Sequence, residues 1–262
     1  MRLISGYLLL IVTMFVQSGC AQSDTPGEVE ANPGRPTVST PATLTPAGYV
    51  QFESGLLNAQ HSGEFSRRFG FTEVAKFAPI KRLQLIVQTE PLVRSHIDTG
   101  IDRRPGEVFL GLQGVVVPGN ERRPTVSVSY FRRAYASPAP ELDIGTNRQS
   151  ALLLVSFDAV GFHVDTNAIV TEQIDELRHR GQFGQTLSIS HPVAHHVGIS
   201  GEIWHFTQPF LRSNAIGALF ATSYTLKKNL VLDGGFNRGL TATSTHWEAF
   251  VGFTYLVPKK MW

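Results

Sequence analysis

From Ala47 onward the chain is a succession of short runs in which apolar and polar residues alternate with period two, the signature of strands with two unlike faces. The runs fall near 48–57, 66–78, 82–93, 106–117, 124–136, 148–157, 160–171, 182–191, 197–207, 214–226, 230–240 and 246–257. In the last, Trp247, Ala249, Val251, Phe253 and Tyr255 share one face, against Glu248, Phe250, Gly252 and Thr254 on the other. In the run before it, Leu230, Leu232, Gly234 and Phe236 oppose Val231, Asp233, Gly235 and Asn237. Alternation by itself fits both a soluble sheet and a membrane barrel. Strand length and aromatic placement weigh towards the barrel. Trp247 and Tyr255 stand about 26 Å apart along a strand at ~3.3 Å per residue, or roughly 20 Å of height when tilted by ~40°. That is close to the ~25 Å apolar band that aromatic girdles bracket in outer-membrane barrels. Trp247, Tyr255 and Tyr224 are therefore expected at membrane interfaces, and the small residues opposite suit a curved wall around a narrow interior.

The connections alternate in character as well. Those at Pro79–Lys81, Pro118–Arg123, Asp158-Ala159, Pro192–His196 and Lys227–Asn229 are mostly compact, whereas those near 58–65, 95–105, 137–147 and 172–181 are longer and more polar. Outer-membrane barrels pair short periplasmic turns with longer outer loops, and an even strand count returns both termini to the periplasm. The expected fold is all-β: a transmembrane antiparallel β-barrel of twelve strands over 47–257, with a short tail at 258–262. One run resists the pattern. Phe71, Glu73, Ala75 and Phe77 share a parity, which aims Glu73 at lipid unless a bulge turns it.

Composition agrees with a barrel of polar interior and equally with a secreted β protein. Charged residues are 17% of the chain, below the usual ~25%, and glycine and aromatics are plentiful. No run beyond the N-terminus approaches the ~20 apolar residues of a transmembrane helix. Residues 1–21 read as a signal peptide: Arg2 is the positive start, Leu3–Val16 the apolar stretch, and Gly19-Cys20-Ala21 the small-residue cleavage site. A second reading takes Ser18-Gly19-Cys20 as a lipobox, with Cys20 lipidated at the mature N-terminus, although Gln17 stands where that motif prefers Leu. With no other cysteine, an intrachain disulfide is excluded. Residues 22–46, rich in Pro, Thr, Gly and acids without apolar periodicity, are expected to form a flexible periplasmic leader. Removing 1–21 leaves Lys+Arg at 23 − 1 = 22 against 21 acids, a net charge near +1, which argues against a nucleic-acid partner.

Short pieces in order along the chain carry a resemblance. They are Gly48-Tyr49-Val50-Gln51-Phe52-Glu53-Ser54-Gly55, Lys76-Phe77-Ala78 to Arg82-Leu83-Gln84-Leu85, Gly201-Glu202-Ile203-Trp204, Leu232-Asp233-Gly234-Gly235-Phe236 with Arg238-Gly239-Leu240-Thr241, and Val251-Gly252-Phe253-Thr254-Tyr255. Together they resemble the outer-membrane transporter family named for the MetA pathway of phenol degradation. Lys76, Ala78 and Gln84 depart from that family's usual residues at and after the first turn. The resemblance implies an outer-membrane channel or transporter, and the family name suggests hydrophobic or aromatic solutes.

On the barrel reading Gln51, Glu53, Lys76, Asp165, Glu202, Asp233 and Glu248 point inward, where opposite charges can pair and tune permeation or simply brace the wall. His191, His195 and His196 around one turn supply at most part of a zinc ligand set, so neither a metal nor a cofactor is expected. Ser244 and His246 are the nearest approach to a lipid hydrolase, but no acid partner and no GxSxG elbow accompany them. The expected function is movement of a small solute through a narrow lumen, without enzymatic activity. The expected partners are outer-membrane lipid, the solute and the barrel-assembly machinery. The alternatives are an outer-membrane lipid hydrolase and an exported soluble β protein holding an apolar ligand.

Overall fold

The computed structural model describes residues 29–97, 100–139, 147–175, 178–211 and 213–261. The expected signal peptide, Cys20 and the first part of the leader lie outside the described residues. The strands are β1 (Val50–Gln60), β2 (Arg67–Ile80), β3 (Leu83–Ile97), β4 (Gly100–Arg104), β5 (Val108–Val117), β6 (Thr125–Tyr135) and β7 (Asn147–Ala159). After these come β8 (Phe162–Asp175), β9 (Arg178–Ala194), β10 (Val197–Phe206), β11 (Ala215–Lys227), β12 (Leu230–Gly239) and β13 (Trp247–Leu256).

Neighbours in sequence pair antiparallel, and β1 pairs with β13 from Gln51↔Leu256 to Gln60↔Trp247, so the sheet closes on itself. The short β4 does not add a thirteenth staff to the wall. The first part of β3 pairs with β5 (Leu83↔Gly114 to Thr89↔Val108), and its last part pairs with β4 (Val93↔Arg104 to Ile97↔Gly100). β4 and β5 are thus one wall strand broken at 105–107, and the closed barrel has twelve strands, as the periodicity predicts. Pro105 has no N–H to give the ladder, and the register of β2 against β3 shifts between Phe71 and Glu73, opposite Glu90 and Pro91. Gly106 sits where a Cβ would meet that of Glu90 at 2.6 Å, so only glycine fits the break.

The two faces of the wall are inverted relative to a soluble protein. Large apolar side chains stand exposed around the outside, from Phe52 at 38% through Leu110, Leu153, Phe183 and Phe220 to Ile203 at 60%. The buried inward positions include Gln51, Gln84, Gln113, Ser127, Asn167, Gln182 and Thr254. Water would oppose such an exterior, whereas hydrocarbon matches it.

One rim carries the starts of β1 and β10 and the turns after β2, β5, β7, β9 and β11; the other carries the remaining connections. Several boundaries differ from the sequence expectation. The turn after β7 is at Val160–Gly161, with Val160 at φ 54° and Gly161 at φ 80°, two residues later than expected. The loop expected over 172–181 is mostly strand, because β8 and β9 continue to Asp175 and from Arg178 with their rungs paired. Glu73 does face outward. The bulge lies on the partner strand and leaves its parity unchanged, and its carboxylate accepts from Ser54 Oγ at 2.7 Å. The tail is tied back to the start of the wall, Met261 N donating to Gly48 O at 2.8 Å.

The largest correction concerns the leader. Over its described part, 29–46, it is not a segment outside the wall. It enters beside the turn after β11, where Ala31 N donates to Lys228 O at 2.8 Å, rises into the bore, and returns to the same rim before β1. Its two arms are clasped by Asn32 Nδ2, which donates to Thr43 O at 3.0 Å. Low apolar content argued for disorder, but it is also what a segment needs to lie among polar wall side chains that satisfy its backbone.

Candidate functional site

The bore is the candidate site, and the N-terminal hairpin fills its lower half. Arg35 lies along one rung that crosses four strands, because Asp233 pairs with Gly252, Gly252 with Gly55 and Gly55 with Thr72. At one end Asp233 Oδ1 receives the guanidinium at 3.1 Å; at the other Arg35 Nη1 reaches Thr72 Oγ1 at 3.4 Å. The glycines between form a flat floor. A Cβ on Gly55 would lie 2.5 Å from Arg35 Nη1, and one on Gly252 2.7 Å from Nη2. The Phe250 ring stands 5.9 Å from the guanidinium carbon.

Carboxylates hold the backbone on either side of Arg35. Glu53 Oε1 accepts from Gly34 N at 2.8 Å, from Gln51 Nε2 at 2.8 Å and from Lys76 Nζ at 2.5 Å, a buried ion pair that also takes up the hairpin. Gln51 Oε1 accepts from Asn32 N at 2.9 Å. Across the bore, Glu202 accepts from Val38 N at 2.7 Å and Ser39 N at 2.6 Å, so two backbone donors solvate a carboxylate. The returning arm is met by neutral groups: Asn167 Oδ1 accepts from Thr40 N, Ser156 Oγ from Ala42 N and Gln84 Oε1 from Thr45 N, each at 2.7 Å. Partners on opposite walls place the hairpin inside the ring.

Higher in the bore the lining turns apolar. Ile86, Phe131, Leu152 and Leu154 cluster with Ala42 of the hairpin, and Val74, Phe109 and Ile169 pack against them. Leu154 and Ala42 are 0% exposed, which a water-filled bore at that level would not allow. Towards the far rim Trp204 and Phe206 are buried together, Trp204 Nε1 donating to Asn237 Oδ1 at 2.9 Å, and Gln182 and Arg68 are buried as well, the latter paired with Glu90 at 2.6 Å. The hairpin below and these buried side chains above thus fill the bore at each of these levels among the described residues.

All seven of the expected lining residues face inward. Gln51, Glu53, Glu202 and Asp233 hold the hairpin directly and Lys76 does so through Glu53. Asp165 is one step removed: it accepts from Ser156 Oγ, which receives Ala42 N, and its other oxygen is 3.3 Å from His163 Nε2. Glu248 is buried among the inward positions nearer the far rim. Trp247 faces out at the far rim, and Tyr224 and Tyr255 face out at the near one. Sequence reasoning missed the hairpin's own contacts, Asn32, Gly34, Arg35, Ser39 and Ala42. The available signal was Arg35, the one basic residue in 22–46.

The residues weighed for other chemistry have structural places. Ser244 Oγ accepts from Ile216 N at 3.0 Å and lies 2.8 Å from Thr241 Oγ1, closing the loop after β12, while the His246 ring lies 5.9 Å from that of His61. Neither contact forms a serine–base pair. His195 and His196 stack edge-on at 4.4 Å, and His191 Nδ1 bonds Gly161 O, both at the near rim.

No protein-family model and no curated protein sequence matches the chain. Solved structures do match its shape. The COG4313 outer membrane channel from Pseudomonas putida F1 superposes with a TM-score of 0.58 at 12% identity, over 82% of this chain and 98% of that one. The NanC porin does so at 0.55 and 5%, over 79% and 98%. The chain has the fold of these barrels. At such identities the likeness establishes architecture alone.

Proposed function

We propose that this chain is a channel of the Gram-negative outer membrane, exported by its N-terminal signal and inserted by the barrel-assembly machinery. It passes small apolar or aromatic solutes when the N-terminal hairpin withdraws. The observation that carries this reading is the apolar cluster of Ile86, Phe131, Leu152 and Leu154 on the inner face of a barrel, capped from below by the hairpin's Ala42. Bracing a wall calls for paired polar groups, which the lower bore has in quantity. An apolar patch at mid-height instead gives a solute with little polar surface somewhere to rest. The resemblance to the phenol-degradation transporters supports the same solute class. Among the described residues the hairpin joins the wall through β1 and is held mainly by side chains and not by a sheet ladder, so its release leaves the wall's pairing intact.

The test compares the full-length protein with a variant lacking 29–46, each reconstituted into bilayers, measuring conductance and the flux of a monoaromatic solute and a sugar of similar size. The expected result is low conductance for the intact chain and aromatic flux exceeding sugar flux for the variant. A folded variant that passes neither solute overturns the reading. Fatty-acid release that is lost in Ser244→Ala and His246→Ala would favour a hydrolase instead.

A further inference from the structure

The outer wall carries a cationic ladder that the channel reading does not use. On the outward face near the far rim, Arg94 of β3 lies directly opposite Arg103 of β4 and, on its other side, opposite Phe69 of β2. One rung further out, His96 is flanked by Arg67 and Ile101. Arg67, Arg94 and Arg103 are all exposed, and among the described residues none of them forms an ion pair. The acid nearest in register, Asp102, lies on the other face of β4, opposite buried Ser95, and pairs with Arg104 at 2.6 Å. Side chains directly opposite on antiparallel strands have Cβ atoms about 5 Å apart, and like charges there are destabilising. With no acidic partner among the described residues, a cross-strand arginine pair with a third arginine on the diagonal suits an anion outside the chain.

Height and surroundings identify its kind. Arg94 is eleven steps from Leu83 at the near rim, which is about 36 Å along the strand and about 28 Å of height at a tilt of ~40°. That puts the guanidiniums just beyond the ~25 Å apolar band, at the depth of lipid headgroups. Directly below them the same face is apolar, with Phe71 opposite Leu92. We propose that Arg67, Arg94 and Arg103 form a binding site for the phosphate of a phosphorylated, acylated glycolipid of the outer leaflet, its acyl chains lying over Phe69, Phe71 and Leu92. Arginine's planar fork suits phosphate oxygens, and three cations suit a doubly charged group. The site rests on the membrane placement proposed above, but not on any transport activity.

The test is native mass spectrometry of the full-length protein, extracted in detergent from the outer-membrane fraction and offered acylated diglucosamine bisphosphate or the same lipid without phosphates. Wild type is expected to retain the bisphosphate form. The Arg67→Gln/Arg94→Gln/Arg103→Gln variant should lose roughly tenfold or more of that retention. Equal retention of the two lipids by wild type, which requires no variant to fold, overturns the site. So does equal retention by wild type and the variant, displacement of the lipid by equimolar inorganic phosphate, or an arginine-dependent dimer in place of the lipid adduct. Recovery of the protein in the soluble fraction without detergent would overturn the membrane placement and this site with it; outer-membrane recovery without lipid preference would overturn the site alone.

Discussion

Arg35 of the N-terminal hairpin and Asp233 of β12 are separated by 3.1 Å and are 18% and 3% exposed, a partly buried ion pair that fastens the hairpin to the wall. Ion pairs of this kind add little compared with an apolar substitute, but removing one partner strands a buried charge at a cost of about 3 kcal/mol. Arg35→Ala is therefore expected to shift the closed-to-open ratio by roughly 100-fold, read as open probability in planar bilayers. Asp233→Asn should have a smaller effect, since the charge it leaves unpaired, on Arg35, is 18% exposed and closer to water than the 3% exposed Asp233. The double variant should fall short of the sum, because both changes break one contact.

The glycine floor gives a second, independent handle on the same latch. At Gly55 the three nearest neighbours of an added Cβ are all atoms of the Arg35 guanidinium, at 2.5–2.6 Å. At Gly252 an added Cβ would also meet the backbone oxygen of Ser54 at 2.5 Å. Gly55→Val is expected to raise conductance and leave the barrel's thermal stability unchanged. Gly252→Val should lower both folding yield and stability, measured by heat-dependent gel mobility.

How legible was this in the sequence? The wall was, because strand parity in a closed barrel is a local property. Trp247 and Tyr255 give the height of the last strand, and Asp233 against Leu232 and Gly234 gives the inside and outside of the one before it. The hairpin was not, since Asn32–Thr45 makes its contacts with Gln51, Asp233, Glu202 and Asn167 through tertiary proximity that no period encodes. Its Pro- and Thr-rich composition reads the same whether water or wall side chains satisfy the backbone. The inward orientation of Glu53 and Glu202 was legible, but what they hold was not. The break at 105–107 was hidden too, because it depends on Gly106 meeting Glu90 across the rung.

The apolar cluster should set solute preference. Leu154 is 0% exposed at its centre, and burying a side chain of that size contributes about 2 kcal/mol. In the background lacking 29–46, Leu154→Asn is expected to lower the ratio of aromatic to sugar flux by roughly tenfold, measured with paired tracers in liposomes. An unchanged ratio would assign the cluster to bracing the wall.

Glu73 places a carboxylate on the apolar exterior with Ser54 Oγ as its hydrogen-bond donor. Charged groups on the lipid face of a barrel destabilise it, acids by less than the ~2–4 kcal/mol of Arg or Lys at the midplane. Glu73→Leu is expected to raise the temperature at which the barrel unfolds in lipid vesicles. A lower temperature would show that Glu73 is covered by a partner and not by lipid.

The claim on which the rest depends is that residues 29–46 lie within the bore. Ser39 Oγ is 2.7 Å from Thr186 Oγ1 on the inner face of β9, and Cys20 is the chain's sole cysteine. A Ser39→Cys/Thr186→Cys variant, oxidised in intact outer membranes and mapped by mass spectrometry, tests it most directly. The expected result is a 39–186 disulfide within one chain, protection of both thiols from aqueous maleimide before oxidation, and flux that stays low until the link is reduced. Two freely labelled thiols and no 39–186 link would show that the hairpin lies outside the barrel, and the account of an occluded channel would be wrong.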